Sequence, residues 1–288
     1  MTAPRPGVAA VPRYVDLHMH STASDGAVPP AGVVEAARRA GLTAIALTDH
    51  DTLAGIDAAR AAGESCGIRV VAGTELSAVY REREIHLLGL HLQRADEVDR
   101  RLDEFRQRRR TRADEIVRRL NELGVPITTQ QVLDQAGRGA VGRPHVARAM
   151  VAEGWAADLR DAFDRYLGNG RPAFVEKQRF LVRDAIRLVH DAGGLAIVAH
   201  PGAQGTREWV EGLVQLDIDG LEVLHPSHSA EDVRRLGALV EHFGLVPSGG
   251  SDWHGGADGQ RAIGGMHVPI DWLVKQDERV AEQAARVA

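Results

Sequence analysis

The chain has 288 residues, which is room for one large α/β domain that carries an inserted subdomain. Apolar residues make up 44% and charged residues 26% of it, as is ordinary for a folded globular protein. The formal net charge of −5 disfavours a global basic field for nucleic acid, and a single cysteine, Cys66, excludes an intrachain disulfide. No stretch approaches the roughly 20 apolar residues of a membrane helix. We therefore expect a cytoplasmic protein without membrane contact, and no feature indicates an obligate protein partner.

Short apolar strands alternate with amphipathic helices over two-thirds of the chain, after a lead-in at residues 1–13 that is predicted to be disordered. The predicted strands are Tyr14–Leu17, Ala44–Leu47, Val70–Gly73, Ile85–Leu90, Leu195–Ala199, Gly220–Leu224 and Leu245–Ser248. The predicted helices between them are Pro30–Ala40, Ala54–Ser65, Leu181–Ala192, Arg207–Leu216 and Ala230–Phe243. Repeated alternation of this kind predicts a parallel sheet, and so many units suggest a barrel.

The strands vanish between about Gln93 and Gln178. A long helix with many arginines and nearly as many acids is predicted at Asp96–Leu123, and shorter helices follow it. The simplest interpretation of that composition is a solvated helix surface with i,i+4 ion pairs. We therefore expect an all-helical insertion at residues 93–178, which caps the active site of a barrel formed by residues 14–92 and 179–288.

Histidine, aspartate and glutamate residues follow nearly every predicted strand. His18 and His20 project to one side of the first strand, because side chains alternate along a strand. Both lie at the C-terminal end of that strand, where the active sites of barrels are found. The full set of candidate metal ligands is His18, His20, Asp25, His50, Glu75, His86, His200, Asp252 and His254. Nine ligands are too many for one zinc ion. Imidazole and carboxylate without thiolate suit Mn²⁺, Fe²⁺ or Zn²⁺.

The motifs DLHMHSTASDG, LTDHD, GTELS, HLLG, AHPG and SDWH resemble those of the PHP (polymerase and histidinol phosphatase) family, and together they span about residues 14–90 and 180–260. The resemblance implies a distorted (βα)7 TIM-like barrel, and two to three divalent ions that hydrolyse phosphate esters through a metal-bridging water or hydroxide. Mn²⁺ is the first expectation for these ions. The implied partition gives one ion to His18, His20, Glu75 and Asp252, a second to Glu75, His86 and His200, and a third to Asp25, His50 and His254.

Three further stretches bear on the substrate, because loops around a barrel mouth set specificity. They are GRPH at Gly142–His145 with the following Arg148, the turn from Gly170 through Arg171 to Lys177, and HPSHS at His225–Ser229. The basic side chains of the first two stretches could bind phosphate, although GRPH is also compatible with an ordinary helix start. Ser227 and His228 could bind phosphate as well, and His228 could protonate the leaving group. His225 is expected to be a loop residue without a role.

The helical insertion and these loops resemble one branch of the family, the stand-alone bacterial 3′,5′-nucleotide bisphosphate phosphatases and related 5′→3′ exonucleases. The resemblance implies removal of the 3′-phosphate from a nucleotide such as pAp, with Arg143, His145 and Arg171 on the 5′-phosphate. A 5′→3′ exonuclease of short RNA or DNA, a histidinol phosphatase and a cyclic-phosphate diesterase would share every metal ligand, so these alternatives stay open. A non-catalytic accessory module is disfavoured, because no ligand has been lost and no polymerase is attached.

Overall fold

A computed structural model describes residues 13–136, 141–176, 179–256 and 261–287. The predicted lead-in therefore lies outside the described residues except for Arg13, and so does Lys177. The strands are β1 Tyr14–Asp16, β2 Ala44–Leu47, β3 Arg69–Ala72, β4 Thr74–Tyr80, β5 Arg83–Leu90, β6 Leu195–Val198, β7 Gly220–Leu224, β8 Val246–Gly249 and β9 Val268–Pro269. The helices are α1 Pro30–Arg39, α2 Ile56–Cys66, α3 Ala95–Glu122, α4 Thr129–Ala136, α5 Arg143–Ala152, α6 Leu159–Ala162, α7 Val182–Asp191, α8 Arg207–Val214, α9 Ala230–Phe243 and α10 Ile270–Val287.

Every strand and helix predicted between residues 14 and 136 or 181 and 248 is present, with ends shifted by two residues or fewer. Three elements of the described chain were not predicted, namely β4, β9 and α10. Within the described residues, no helix combines the length and apolar character needed to cross a membrane.

The strands form a mixed arrangement, so the expected all-parallel sheet is wrong. One sheet has the order β3-β2-β1-β9 and the other the order β4-β5-β6-β7-β8. Strand β5 is antiparallel to both β4 and β6, and β9 is antiparallel to β1. Only Arg81 and Glu82 connect β4 to β5, both with positive φ, and so short a connection forces two adjacent strands to run in opposite directions.

The two sheets touch where their parallel strands end. His50, beyond β2, pairs with Glu75 of β4, and Met19, beyond β1, pairs with Trp253 after β8. The Leu17 N–H also donates to the Gly249 carbonyl at 3.1 Å. These contacts gather the C-terminal ends of β1, β2 and β8 in one place, together with β4.

Helix α3 connects two hydrophobic cores. Its first half packs Val98 and Leu102 into the core of the two sheets. Its second half packs Ile116 and Leu120 into a separate core with helices α4 and α5. The 28-residue helix therefore holds the helical segment beside the strand ends that carry the candidate ligands.

Candidate metal centre

Glu75 lies at the middle of the site, with a side chain that is only 1% exposed. Both of its carboxylate oxygens have imidazole nitrogens between 2.7 and 3.3 Å away. Those nitrogens belong to His18, His20, His50, His86 and His200. A carboxylate surrounded on both oxygens by imidazoles is well placed to bridge two cations.

The nine predicted ligands lie in one cluster, within which several subsets have ligand atoms no more than 4.8 Å apart. The first subset is His18, His20, Glu75 and Asp252, the second is His20, Asp25, His50 and His254, and the third is His50, Glu75 and His86. His200 joins the cluster through its Nε2, which lies 2.9 Å from Glu75 Oε1. The first subset matches the implied first site, whereas His20 and His50 each lie close enough to serve two sites.

The strands explain why these residues meet. His18, His50 and His200 come just after β1, β2 and β6, so they lie at the C-terminal ends of parallel strands. His86 instead lies in the first half of β5, and Glu75 lies inside β4. Because β5 runs against its neighbours, its beginning lies beside their ends, and His86 reaches the same mouth.

A hydrogen-bond network fixes the loop between His20 and Asp25. The carboxylate of Asp49 accepts from the Ser21 N–H at 2.7 Å, from Ser21 Oγ at 2.7 Å and from Ser24 Oγ at 2.6 Å. A buried carboxylate with several donors is a strong local organiser. It holds both ends of the loop and thereby sets where Asp25 projects.

His20 provides the clearest test of whether a cation fits. Its side chain is fully buried, yet neither ring nitrogen makes a hydrogen bond in the described part of the chain. Its Nε2 nevertheless lies 3.1 Å from Asp252 Oδ1 and 3.3 Å from Glu75 Oε2. Buried polar atoms almost always have a partner. The His20 nitrogens therefore converge with the Asp252 and Glu75 oxygens without hydrogen-bonding them, as the ligand atoms around a cation do.

In the protein without metal, positively charged imidazoles lie directly next to negatively charged carboxylates, and each shifts the pKa of the other. Burial opposes ionisation of both His18 and Glu75, but their mutual attraction, with Glu222 beside His18, outweighs it. The pKa of His18 is therefore raised well above its usual range and that of Glu75 is held well below it. Burial likewise opposes protonation of His254, yet its contacts with Asp25 and Asp252 raise its pKa to about 9. Protons on the imidazoles thus balance the carboxylates where divalent cations would do so.

Two residues of the site were not predicted. Glu222 on β7 is fully buried and lies 2.9 Å from His18 Nδ1, and its other oxygen accepts from the His200 N–H at 2.7 Å. His225 is 3% exposed, and its Nε2 lies 3.4 Å from Asp252 Oδ2, so it is not the plain loop residue that was expected. The available signal for Glu222 was a charged residue inside the otherwise apolar strand GLEVL.

The basic residues predicted to bind substrate are spread over several environments. Arg143 Nη1 donates to the Leu167 carbonyl and to Asn169 Oδ1, both at 3.1 Å. His145 Nδ1 accepts from the Gly142 N–H at 3.0 Å, so this ring caps α5, as the alternative of an ordinary helix start anticipated. The side chains of Arg148 and Arg171 are exposed.

Both ring nitrogens of His228 are engaged by backbone. Its Nδ1 lies 2.9 Å from the Val223 carbonyl, and its Nε2 accepts from the Gly202 N–H at 3.1 Å. The neutral ring therefore carries its proton on Nδ1, where the proton is donated to the Val223 carbonyl and is not available to a leaving group. Ser227 is exposed, with its Oγ 2.7 Å from His225 Nδ1. This geometry favours a structural role for His228 over the predicted general acid.

Several known proteins are similar to this chain over most of its length. The chain is 37% identical over 246 residues to a 5′-3′ exoribonuclease of Haemophilus influenzae, covering 83% of this chain and 89% of that protein. It is 35% identical over 246 residues to a phosphoribosyl 1,2-cyclic phosphate 1,2-diphosphodiesterase of Eggerthella lenta, covering 83% and 94%. It is 34% identical over 258 residues to a 3′,5′-nucleoside bisphosphate phosphatase of Chromobacterium violaceum, covering 87% and 90%.

A solved structure and a family model are also similar to this chain. A crystal structure described as a metal-dependent phosphoesterase of Bifidobacterium adolescentis superposes with a TM-score of 0.72 at 31% identity, covering 93% of this chain and 98% of that one. The family model of the PHP domain matches residues 16–168, which is more than half of the chain. Together with the shared extent of the curated relatives, this match shows that the chain belongs to the PHP domain family.

Proposed function

We propose that this chain hydrolyses phosphate esters with divalent metal ions held around Glu75. The observation that carries the proposal is the position of Glu75, buried between five imidazoles and two further carboxylates of the same cluster. Ions bound there would supply the charge that activates a water molecule and neutralises a phosphoryl group. The ligands are His18, His20, Asp25, His50, Glu75, His86, His200, Asp252 and His254, and two to three ions, Mn²⁺ before Fe²⁺ or Zn²⁺, suit them.

Glu222 and His228 support the ligands in this proposal. Glu222 holds the Nδ1–H of His18, which leaves Nε2 free to face the ions, and it also fixes the backbone of His200. His228 holds the Gly202 N–H and so braces the loop that follows His200. Ser227 acts through His225, which it holds by the ring Nδ1.

The substrate that we propose is a nucleoside 3′,5′-bisphosphate, from which the 3′-phosphate is removed. The relative from Chromobacterium violaceum supports this choice, since it is a 3′,5′-nucleoside bisphosphate phosphatase of matching length. Arg143 supports it as well, because Nη1 alone makes its described hydrogen bonds, and the guanidinium keeps other donors for a 5′-phosphate. Arg171, exposed on the neighbouring turn, is an outer contact of the same phosphate, with Arg148 and His145 farther along α5.

The architecture that we propose is a distorted (βα)7 barrel of residues 14–92 and 179–288, capped by the helical insertion at residues 93–178. The backbone pairs of His50 with Glu75 and of Met19 with Trp253 support closure, since they join the segments that follow β2 and β1 of one sheet to β4 and to the segment after β8, the two outer strands of the other. The separate core of helices α4 and α5 supports the boundaries of the insertion.

A second candidate is 5′→3′ hydrolysis of short oligonucleotides, favoured by the exoribonuclease of Haemophilus influenzae. An open cavity of about 210 Å³ adjoins His86 and His200, and it is lined by Gln204 and the half-buried ring of Trp209. Aromatic rings next to a catalytic centre provide stacking platforms for single-stranded nucleic acid. A downstream nucleotide would have room there.

The test is phosphate release by the Mn²⁺-loaded protein from pAp, 3′-AMP, 5′-AMP, histidinol phosphate, a cyclic phosphate and a short 5′-phosphorylated oligonucleotide. We expect the largest kcat/KM for pAp. An oligonucleotide that equals or exceeds pAp would favour the exonuclease instead. Absence of hydrolysis across the panel would reject the proposed chemistry.

A further inference from the structure

A cavity between α3 and β4 is lined by arginines that the sequence placed on a solvated helix surface. Arg109 and Arg112 lie one turn apart on α3, and with Arg108 they line a space of about 100 Å³. Arg109 and Arg112 are half-buried, whereas Arg108 lines the cavity with an exposed side chain, 5.5 Å from the Phe105 ring. The interior of the cavity is therefore basic on the side formed by α3.

The cavity opens beside the candidate metal centre. Its opposite wall includes Asp51 and Ser77. Asp51 directly follows the candidate ligand His50, and Ser77 pairs with the candidate ligand His86 across β4 and β5. A ligand whose reacting group lies at the metal centre can therefore place a second group in this cavity.

The positive charge here is only partly balanced. Arg109 lies 2.8 Å from Asp51 Oδ2, but Arg112 has no carboxylate within ion-pair distance among the described residues. Arg112 instead donates from Nε and Nη2 to the Val175 carbonyl, at 2.9 and 2.7 Å. Burial, with Arg143 and Arg109 nearby, lowers the pKa of Arg112 to about 10. Arg112 is thus a partly desolvated cation with two further cations, Arg109 and Arg143, nearby.

Arg143 of α5 does not line the cavity but lies close enough to Arg112 to lower the pKa of that guanidinium. Its guanidinium lies 5.1 Å from the ring centre of Phe174 and 5.9 Å from that of Phe163, and in the described ranges it too has no carboxylate partner. Like charges held together away from water destabilise a fold unless an anion joins them. Guanidinium groups bind phosphate through paired N–H donors. Glu176 also lines the cavity, yet the three arginines of α3 outnumber Asp51 and Glu176.

We propose that this cavity binds the phosphate group of the substrate that is not hydrolysed, with Arg112 as its principal donor and Arg143 as a neighbouring cation at its periphery. The inference rests on the proposed function, because it assumes that another phosphate of the same molecule occupies the metal centre. In this inference α3 determines specificity, because its arginine favours a nucleoside with two phosphates over a nucleoside with one.

The experiment compares kcat/KM of the full-length Mn²⁺-loaded protein for a nucleoside 3′,5′-bisphosphate and for the 3′-monophosphate. In Arg112→Gln we expect the value for the bisphosphate to fall on the order of 100-fold, as for loss of a charge-assisted phosphate contact, and that for the monophosphate to change by about twofold or less. Arg110→Gln is the matched control, since Arg110 is exposed on the same helix and does not line the cavity. It should leave both values unchanged.

Each other outcome has a defined meaning. An equal loss for both substrates would show that Arg112 only braces the chain at Val175, and no change in either kcat/KM value would show that the phosphate binds elsewhere. Either result overturns this inference while the proposed function stands. A wild-type protein that hydrolyses neither substrate rejects the proposed function and this inference with it. If Arg112→Gln does not fold, Arg143→Gln and Arg112→Lys carry the same comparison, with a selective loss for the bisphosphate expected in both.

Discussion

Glu75 is the residue on which the centre depends. It contacts histidines contributed by β5 and by the segments after β1, β2 and β6, so one side chain connects both sheets at the place where they meet. A glutamine of the same shape would keep the packing but would lose the negative charge that faces these imidazoles. The consequence is specific to cation binding, which makes it measurable.

We expect Glu75→Gln to bind at least one Mn²⁺ fewer per chain and to lose on the order of 100-fold or more in phosphate release. Metal analysis after equilibrium dialysis, together with an activity assay, measures both effects. Glu35→Gln on α1 is the control, because Glu35 is exposed and its one ion pair among the described residues is with Arg39 at 3.9 Å. Full occupancy in Glu75→Gln would remove Glu75 from the ligand set.

Gly250 is a second critical position, because the chain passes directly against His18. A Cβ atom at Gly250 would lie 2.4 Å from the His18 Cβ and 2.5 Å from the His18 nitrogen, too close for any native contact. We expect Gly250→Ala to reduce the free energy of unfolding by about 1–3 kcal/mol through overpacking. It should also weaken Mn²⁺ binding, because His18 must move.

Denaturant unfolding and a metal titration of Gly250→Ala check this expectation. Gly237→Ala on α9 is the matched control, since a Cβ there meets nothing within 4 Å. In a helix, that change should raise the free energy of unfolding by about 0.5–1 kcal/mol. Equal behaviour of the two variants would contradict the steric argument.

At the scale of elements, the contact between α7 and the start of β7 should make stability depend on pH. His190 Nε2 lies 2.7 Å from Asp219 Oδ2, and this bond outweighs burial and raises the pKa of His190. A raised pKa stabilises the folded state fully below the unfolded value of about 6.5, and the stabilisation is lost as pH rises through the folded pKa. The advantage of wild type over His190→Asn should therefore be largest near pH 6 and shrink as the solution becomes alkaline.

Urea unfolding across this pH range measures the difference, and effects of the metal centre that both proteins share cancel in it. In the Asp219→Asn background, His190→Asn should show no such trend, because the partner of the imidazolium is gone. A difference that stayed constant with pH in the wild-type background would mean that His190 is neutral in the folded protein.

The sequence revealed some elements better than others, for physical reasons. Strands such as Ala44–Leu47, buried at every position, are short apolar runs and were predicted to the residue. Strand β4 was missed because it contains the buried residues Thr74 and Glu75 and the half-buried Ser77, whose polar side chains interrupt the apolar pattern of a strand. Turn chemistry at Arg81 and Glu82 gave no glycine signal, so the reversal of β5 was missed as well.

Some residues of the site could likewise be predicted from the sequence, and others could not. The candidate ligands were visible because cation binding restricts residue type to histidine and carboxylates. Glu222 and Arg112 were not, because their roles depend on which face of a strand or helix meets another element. No local pattern distinguishes an arginine of α3 that points into a cavity from one that points into water.

For the molecule as a whole, cations and protons should compete for the same centre. Mn²⁺ that binds only the folded chain stabilises it by about 2.7 kcal/mol at a hundred times its Kd. The imidazoles must lose their protons first, and the pKa of His254 is raised to about 9 while that of His18 is raised well above its usual range. We therefore expect the rise in Tm on adding Mn²⁺ to be larger at pH 8 than at pH 6.

Differential scanning fluorimetry with Mn²⁺, and with EDTA added afterwards to restore the original Tm, tests this expectation. Mg²⁺ at the same concentration is a control, since it prefers oxygen ligands. Identical shifts at the two pH values would show that the ions bind away from these histidines.

The pairing of β1 with β9, and of Met19 with Trp253, also has a consequence for how the protein is made. Ribosomes add about 5–20 residues per second, so the chain between His20 and Asp252 takes on the order of ten to fifty seconds to synthesise. Throughout that interval the first histidines have emerged while the residues that complete their centre do not yet exist. A nascent chain therefore cannot assemble the whole centre, or hydrolyse a substrate there, before the segment of Asp252 and His254 has been synthesised.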